Sequence, residues 1–557
     1  MKHTKLFILF SLMISGIYGQ NDLNNLTKPR FDTLFLPEHH SNLRLTFTHE
    51  AYAKYDFYMG REANTHTAVK PYTYKEVQEV YDMDAFVKGV EKNKKTWVGR
   101  KLWNEHLFQV KEDDFWFNGD FTVGLSLGKD NSEDIEYTYN NTRIFKVQGG
   151  LGRNLSFYAA IFESQARFTS YLNKWVFDNK PPNSEGLVPG RNKAKRYATD
   201  AYDYSVSEGY VSWTPSKFFN IQTGNGTNFI GDGYRSLVLS DAATPYPFVK
   251  INTTFWKFRY TNLWMWMRDM RRDRMVNGAH ARKYVSLHYL SFNITKNWNI
   301  GLLESIITAG NNGMDMDFLN PLLFYKTIEF SRGENGGNGL LAFTSKWVPK
   351  ENIHLYGQFL FDEFKLEEIQ DGNGWWANKY GYQLGIKYFN AFKVNNLFLQ
   401  AEYNRMRPYT GSHGEIELNY GHYNQPIGHL WGSNFSEFIA IARYSKNRFF
   451  ANAKVVVGEK GFDPSVDVNY GGDIFKTYNN RVNDYGNFVG QGSKAAIFIG
   501  DIQAGYLVNP VLNLRLFAGM TYRTFDAQPT TYSFDNTNTT FFQVGLRSNL
   551  FNWNTDF

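Results

Sequence analysis

Residues 397–404 read LFLQAEYN. On an extended chain Leu397, Leu399, Ala401 and Tyr403 point one way, and Phe398, Gln400, Glu402 and Asn404 the other. A mostly apolar face set against amides and a carboxylate is the pattern of a membrane-barrel strand, apolar outside and polar within. Residues 254–267 repeat it with heavier side chains: Trp256, Phe258, Tyr260, Trp264 and Trp266 share a face, opposite Lys257, Arg259 and Thr261. Near the end, Leu512, Leu514, Leu516, Ala518, Met520 and Tyr522 alternate with Asn513, Arg515, Gly519, Thr521 and Arg523. A soluble sandwich also alternates, but it rarely sets Lys, Arg and Glu against Trp and Tyr along so many long strands.

The connections extend the pattern to the whole chain. Short candidate turns fall at 152–154, 214–217, 295–298, 349–352, 389–396, 445–448 and 508–511. Between them lie long polar segments at 167–204, 269–283, 309–337, 363–378, 405–434, 459–497 and 524–540. Outer-membrane barrels alternate short periplasmic turns with long external loops, and reading each run as up or down gives about 18 strands, an even number as single-chain bacterial barrels require. The strand expected near 238 is the weakest, because Pro245 and Pro247 cannot donate to a ladder. The last strand alternates Phe542, Val544, Leu546 and Leu550 with Gln543, Arg547 and Asn549, and Phe557 follows as the terminal aromatic that barrel-insertion machinery reads.

Composition agrees. Aromatic residues make up 18% of the chain, yet mean hydropathy is −0.47; a barrel with an apolar outer face, a wet lumen and aromatic girdles reconciles the two. No run after the N-terminus reaches the roughly 20 apolar residues of a spanning helix. The chain has no cysteine, which excludes disulfides and thiolate metal sites. Its formal charge of +6, two less once Lys2 and Lys5 leave, implies no nucleic acid partner. Those lysines precede an apolar run at 6–14 and the small residues Ser15, Gly16 and Gly19, the layout of a secretory signal peptide cut after Gly19. Residues 74–106 carry Val77, Val80, Tyr81, Phe86, Val87, Val90, Trp97, Val98 and Leu102 at helical spacing, divided near Gly89 and Gly99. The expected organisation is therefore a signal peptide at 1–19, a helical periplasmic or plug segment within 20–117, and an all-β transmembrane antiparallel barrel over 118–557. Residues 43–58 are open to reading as an extra strand.

Four segments resemble the Wzi-like capsule-assembly proteins of the outer membrane: 225–250 (NGTNFIGDGYRSLVLSDAATPYPFVK), 318–330 (FLNPLLFYKTIEF), 420–437 (YGHYNQPIGHLWGSNFSE) and 165–173 (QARFTSYLN). Within that superfamily the resemblance is to its gliding-motility branch. It runs from about residue 95 onward, and rests on loop and strand-edge patterns. It implies a barrel of similar size with a helical element near the N-terminus, a place in the outer membrane with external loops at the cell surface, and a role in organising or anchoring surface polysaccharide. The implied partners are outer-membrane lipid and lipopolysaccharide, surface polysaccharide, and proteins of a gliding or secretion machine. The rival readings are a structural partner of such a machine and a passive porin.

Candidate contacts come from the loops. Arg268, Arg271, Arg272, Arg274, His280, Arg282 and Lys283 crowd one loop after an aromatic strand, and guanidinium forks, those of Arg271, Arg272 and Arg274 first, suit phosphate, sulfate and uronate groups; a solvated face beside lipopolysaccharide is the plainer reading. Trp375 and Trp376 offer ring faces on which sugars stack, or an interfacial girdle. Asp232, Gly233 and Arg235 lie in a Gly-rich stretch that matches neither a phosphate loop nor a serine elbow, and read as a structural loop network. His413, His422 and His429, with Glu415 and Glu417, match no metal spacing. Glu208 and Glu304 have no positioned catalytic partner in the sequence. Neither enzyme activity, cofactor nor metal is expected.

Overall fold

The computed structural model describes residues 36–61, 66–271, 275, 278–310, 314, 316–322, 324–332, 336–363, 365–531 and 534–557. The expected signal peptide lies outside these residues. Among them, 18 antiparallel strands close into a barrel. In chain order they are β1 (Phe115–Asp130), β2 (Thr138–Leu151), β3 (Leu155–Arg167), β4 (Ala201–Ser216), β5 (Phe219–Gly226), β6 (Tyr246–Phe255), β7 (Phe258–Asp269), β8 (Ala281–Thr295) and β9 (Trp298–Ala309). There follow β10 (Asn338–Lys350), β11 (Ile353–Glu363), β12 (Lys379–Phe389), β13 (Leu397–Met406), β14 (Phe435–Lys446), β15 (Phe449–Phe462), β16 (Ser493–Asn509), β17 (Leu514–Gln528) and β18 (Thr537–Ser548). Each pairs with its neighbour, and β18 closes on β1 with Phe541 opposite Asp130 and Arg547 opposite Gly124.

The alternation in 397–404 holds in β13: Phe398, Gln400, Glu402 and Asn404 are buried inside, and their neighbours face outward. Outward side chains elsewhere include Leu127, Leu384, Leu516 and Val544, each more than half exposed, as hydrocarbon contact requires. At the short-turn end Asn390, Asn396, Asn447, Asn513 and Gly152 take positive φ, which these residues tolerate in tight turns.

Two local readings change. No wall strand begins near 238; residues 231–244 turn into the lumen, and β6 starts at Tyr246 with Pro247 inside it. Pro247 stands opposite Asn225 of β5 but precedes the first pairing of β6 with β7, Phe248 with Met265. Residues 254–267 are not one strand: a hairpin turn separates Phe255 from Phe258, and Trp256 sits in it with φ of 50°.

The lumen is filled, not wet. From the short-turn end come the N-terminal segment and the tail 549–557; from the long-loop end come 227–245 and 407–434. Residues within 43–58, open to a strand reading, form instead much of helix α1 (His49–Arg61), whose Asp56 pairs with Lys387 of the wall at 2.6 Å. The expected helical stretch is three short helices, α2 (Tyr74–Gln78), α3 (Met83–Gly89) and α4 (Trp97–Trp103). Thr73 and Glu76 form a capping box on α2, and Asp82 and Thr96 cap the other two. Arg448, at a short turn, donates to the carbonyls of Val90 and Trp103, so α3 and α4 lie against that end of the barrel. Plug and loop meet inside, where Val69 and Lys70 pair antiparallel with Ile230 and Phe229.

One long loop folds outward instead. Residues 316–332 lie on the outer faces of β7–β9, where Trp264 donates to the carbonyl of Phe318 (2.9 Å). The Glu304 carboxylate accepts the first amides of helix α5 (Tyr325–Arg332), from Tyr325 at 2.8 Å and Lys326 at 2.6 Å. His288 bonds the Tyr325 hydroxyl at 2.6 Å. Two polar groups on an apolar wall are thus covered by the chain itself, while Leu322, Phe324 and Phe330 point away from the wall.

An arginine at outward Leu384 is expected to cost roughly 2–4 kcal/mol if that residue meets mid-bilayer hydrocarbon. Inward Gln400→Ala, which loses a bond to the Tyr356 hydroxyl, should cost about 1 kcal/mol. Folding titrations in lipid vesicles compare the two; equal losses would reverse the face assignment. A second expectation concerns pH. His106 bonds Glu38 and Asp120 at 2.7 Å each. Burial opposes its charge, but the two carboxylates outweigh burial and raise its pKa to about 9. A raised folded pKa stabilises fully below the unfolded value near 6.5 and is lost as pH climbs through the folded one. Protease sensitivity of residues 37–106 should therefore rise between neutral pH and about 9, and His106→Gln should flatten that rise.

Candidate functional site

The densest polar chemistry in the lumen is built around Arg235, which the 231–244 loop carries to the barrel's interior. Its Nη2 donates to Glu437 of β14 at 2.9 Å and its Nη1 to Asp556 of the tail at 3.1 Å. Lys454 of β15 donates to the same Asp556 at 2.7 Å, and the Tyr234 hydroxyl bonds it at 3.1 Å. Burial works against the Asp556 charge, yet the two cations hold its carboxyl well below the usual carboxylate range. Glu402 of β13 accepts the backbone amides of Tyr234 (2.7 Å) and Arg235 (3.0 Å). Gly233 allows that approach, since a Cβ there would stand 2.5 Å from the Glu402 carboxylate. His429, from the 407–434 loop, bonds Glu437 at 2.8 Å, and Trp431 donates its indole N–H to the Asp556 carbonyl at 3.0 Å. Wall, two inward loops and tail thus share one cluster of paired charges. A neighbouring cluster joins Asp232 to Thr67 at 2.5 Å and to Lys70 at 3.8 Å.

Between the plug and β14–β18 a polar cleft of about 290 Å³ remains. Its wall side offers Asn452, Asp501, Gln503, Gln543 and Arg547, and its plug side His49, Tyr171 and Trp553. It extends to Tyr139 and Arg167 near the long-loop end. Arg547 bonds Gln503 at 3.1 Å and Thr521 bonds Asp501 at 2.8 Å, so the lining is oriented before anything enters. Burial and nearby arginines hold His49 neutral, well below its ordinary pKa. Amides, hydroxyls, carboxylates, cations and aromatic rings in one cleft can hydrogen-bond and stack against a polyhydroxylated ligand. Among the described residues no group of three or more His, Asp or Glu is placed to hold a metal ion.

The residues singled out in the sequence fall in three places. Asp232, Gly233 and Arg235 lie in the two buried clusters above. Arg271 is engaged by its near neighbour Asp269, with Nε to Oδ1 at 2.9 Å and to Oδ2 at 3.1 Å, while Arg272 and Arg274 lie outside the described residues. Trp375 and Trp376 are half-buried in contacts between loops. Arg481 sits 4.2 Å over the Trp376 ring and Tyr478 packs against it, so that ring is already in use. His422 and His429 are buried in the lumen. Sequence reasoning missed Glu437, Asp556 and the cleft's glutamines: each is an ordinary inward residue or tail residue until the strands close. Phe557 was read as the end of a strand; it lies inside, its carbonyl accepting from Arg523 at 2.8 Å, because the wall ends at Ser548.

Removing one partner from a buried charge cluster leaves the other exposed to a low dielectric, typically at about 3–5 kcal/mol. Asp556→Ala, which strands Arg235 and Lys454 against each other, is expected to lose that much. Protease release of the tail and a lowered midpoint of heat-modifiable gel mobility would register it; unchanged values would mean that the clamp is not what holds the tail.

No protein-family model matches the sequence, and no curated protein matches it. Solved structures do. One is Wzi of Escherichia coli, an outer-membrane protein involved in group 1 capsule assembly and described as a carbohydrate-binding β-barrel. It is 10% identical, covers 91% of this chain and 99% of its own, and superposes with a TM-score of 0.54. OprD of Pseudomonas aeruginosa, at 13% identity, covers 76% of this chain and 92% of its own with a TM-score of 0.38, too loose a fit to argue from. The chain has the fold of the outer-membrane barrels: 18 antiparallel strands closed on themselves behind a short helical segment.

Proposed function

We propose that this chain is a non-enzymatic outer-membrane barrel that organises or anchors surface polysaccharide and, through it, supports gliding motility. The observation that carries the reading is the cleft of about 290 Å³, lined by amide, hydroxyl, aromatic and charged side chains in a lumen largely filled by the chain itself. A space of that size takes a short stretch of glycan. A filled lumen argues against a passive porin, whose task needs an open path. The fold shared with Wzi, a carbohydrate-binding barrel by its description, supports the same reading. The motility component rests on the sequence segments that resemble the gliding-motility protein RemB. The long loops of an outer-membrane barrel support a cell-surface location, and lipopolysaccharide would surround the wall.

A deletion strain should shed surface polysaccharide and lose colony spreading, and the wild-type gene should restore both. Gln543→Trp, which fills the cleft, should insert normally yet bring polysaccharide retention no higher than the deletion level. Quantified cell-bound polysaccharide and spreading diameter are the measurements. A deletion strain that keeps both properties would overturn the proposal; a rescuing Gln543→Trp would move the site out of the cleft.

A further inference from the structure

The barrel wall has a notch at its long-loop end. Strand β5 spans only eight residues between longer neighbours, and its last pairings are Asn225 with Gly209 of β4 and Gly226 with Tyr246 of β6. Above that point β4 continues for several residues with only the short strand Lys193–Ala198 beside its upper end. Trp266–Asp269 of β7 pair only with β8. The gap is a cavity of about 650 Å³ whose lining includes outward residues such as Ser207, Val249 and Trp266 and inward ones such as Phe248, so it passes through the wall.

Its level is set by register. Arg143, Glu163 and Ser205 are adjacent on the outer face and form a polar row. The next row toward the short turns, Phe145, Ile161 and Ser207, carries two exposed apolar side chains. The notch opens at Ser207, where the exposed apolar Phe145 and Ile161 meet the polar row above them.

Its charge is one-sided. Arg191, Arg268 and Arg282 line it and, among the described residues, no acidic residue does. Arg268 and Arg282 are cross-strand partners, and like charges directly opposite one another destabilise a sheet unless something neutralises them. Asp269 does not serve, since it is turned inward and engaged with Arg271. Among the described residues none of the three arginines forms an ion pair. Arg191 is buried and turned to the tail, packed 3.3 Å from the Phe551 ring with its Nη2 donating to the Asn552 carbonyl at 3.2 Å.

We propose that the notch is a binding site for the phosphate headgroup of a membrane amphiphile, with Arg268 and Arg282 gripping the phosphate from the wall. The acyl chains lie below against Val249 and Trp266. Guanidinium pairs suit phosphate geometry, and an apolar outer wall beneath an arginine cluster matches an amphiphile better than a soluble anion. The site is independent of the lumen cleft.

The test uses full-length protein in phosphatidylcholine nanodiscs containing spin-labelled phosphatidic acid or spin-labelled phosphatidylcholine. Phosphatidic acid should be preferred at the protein surface by roughly thirtyfold, the scale that two arginines near an anionic headgroup supply. Arg268→Gln with Arg282→Gln should reduce the preference to near unity. Ser207→Trp, which blocks the notch and keeps every arginine, should do the same and guards against a double variant that fails to fold. Salt-matched inorganic phosphate or polygalacturonate should leave the wild-type preference in place. A preference unchanged in both variants, or one abolished by either soluble anion, would overturn the proposal; the latter would assign the notch to a free anion or an acidic glycan.

Discussion

Arg235 reaches Glu437 on the wall and Asp556 on the tail at the same time, and Lys454 shares the second carboxylate. Charges removed from water must be paired, and that constraint organises the interior. The two inward loops, the N-terminal plug and the tail come from opposite ends and contribute to interlocking sets of partners. Asp56 with Lys387, Glu38 with His106, and Asp232 with Lys70 repeat the device at other positions. The lumen is closed because its polar lining is satisfied by protein instead of water, and the cleft beside β14–β18 is where that filling stops.

The outer surface obeys the converse rule. Apolar side chains can face hydrocarbon freely, whereas Glu304 and His288 cannot, and the 316–332 loop folds back to supply their hydrogen bonds. The helix that does so gives its first amides to a carboxylate, satisfying donors that a helix N-terminus otherwise leaves open. At the notch the His280 carbonyl accepts from Arg268 at 3.1 Å, but among the described residues no carboxylate pairs with Arg268 or Arg282. Two departures from an apolar wall thus have opposite outcomes: one is covered by the chain, the other stays open.

Much of the wall was legible because period two survives folding. LFLQAEYN at 397–404 fixed which side of β13 faces in, and the Asn- and Gly-containing turns at the short-turn end stand where backbone chemistry favours them. Reading failed where two strands run without an obvious break: the turn at Trp256 carries neither Gly nor Pro, so 254–267 looked continuous. Pro247 was a fair sign of a damaged strand, but the strand itself lies later, at an incomplete stretch of wall. Residues 49–58 alternate well enough to resemble a strand and are helical because the plug is held by side-chain partners on the wall.

The sequence by itself determined the alternating strands, the unequal loops and the capped helical segment, because these depend on local backbone preference and on neighbours a few residues apart. Tertiary structure alone decided that Arg235 meets Asp556, 321 positions away in the chain, that the Trp376 ring is already occupied by Arg481, and that β5 stops short and leaves a notch. Those outcomes depend on barrel closure and register, which bring distant residues to the same height in the wall, and no local pattern in the chain encodes that height.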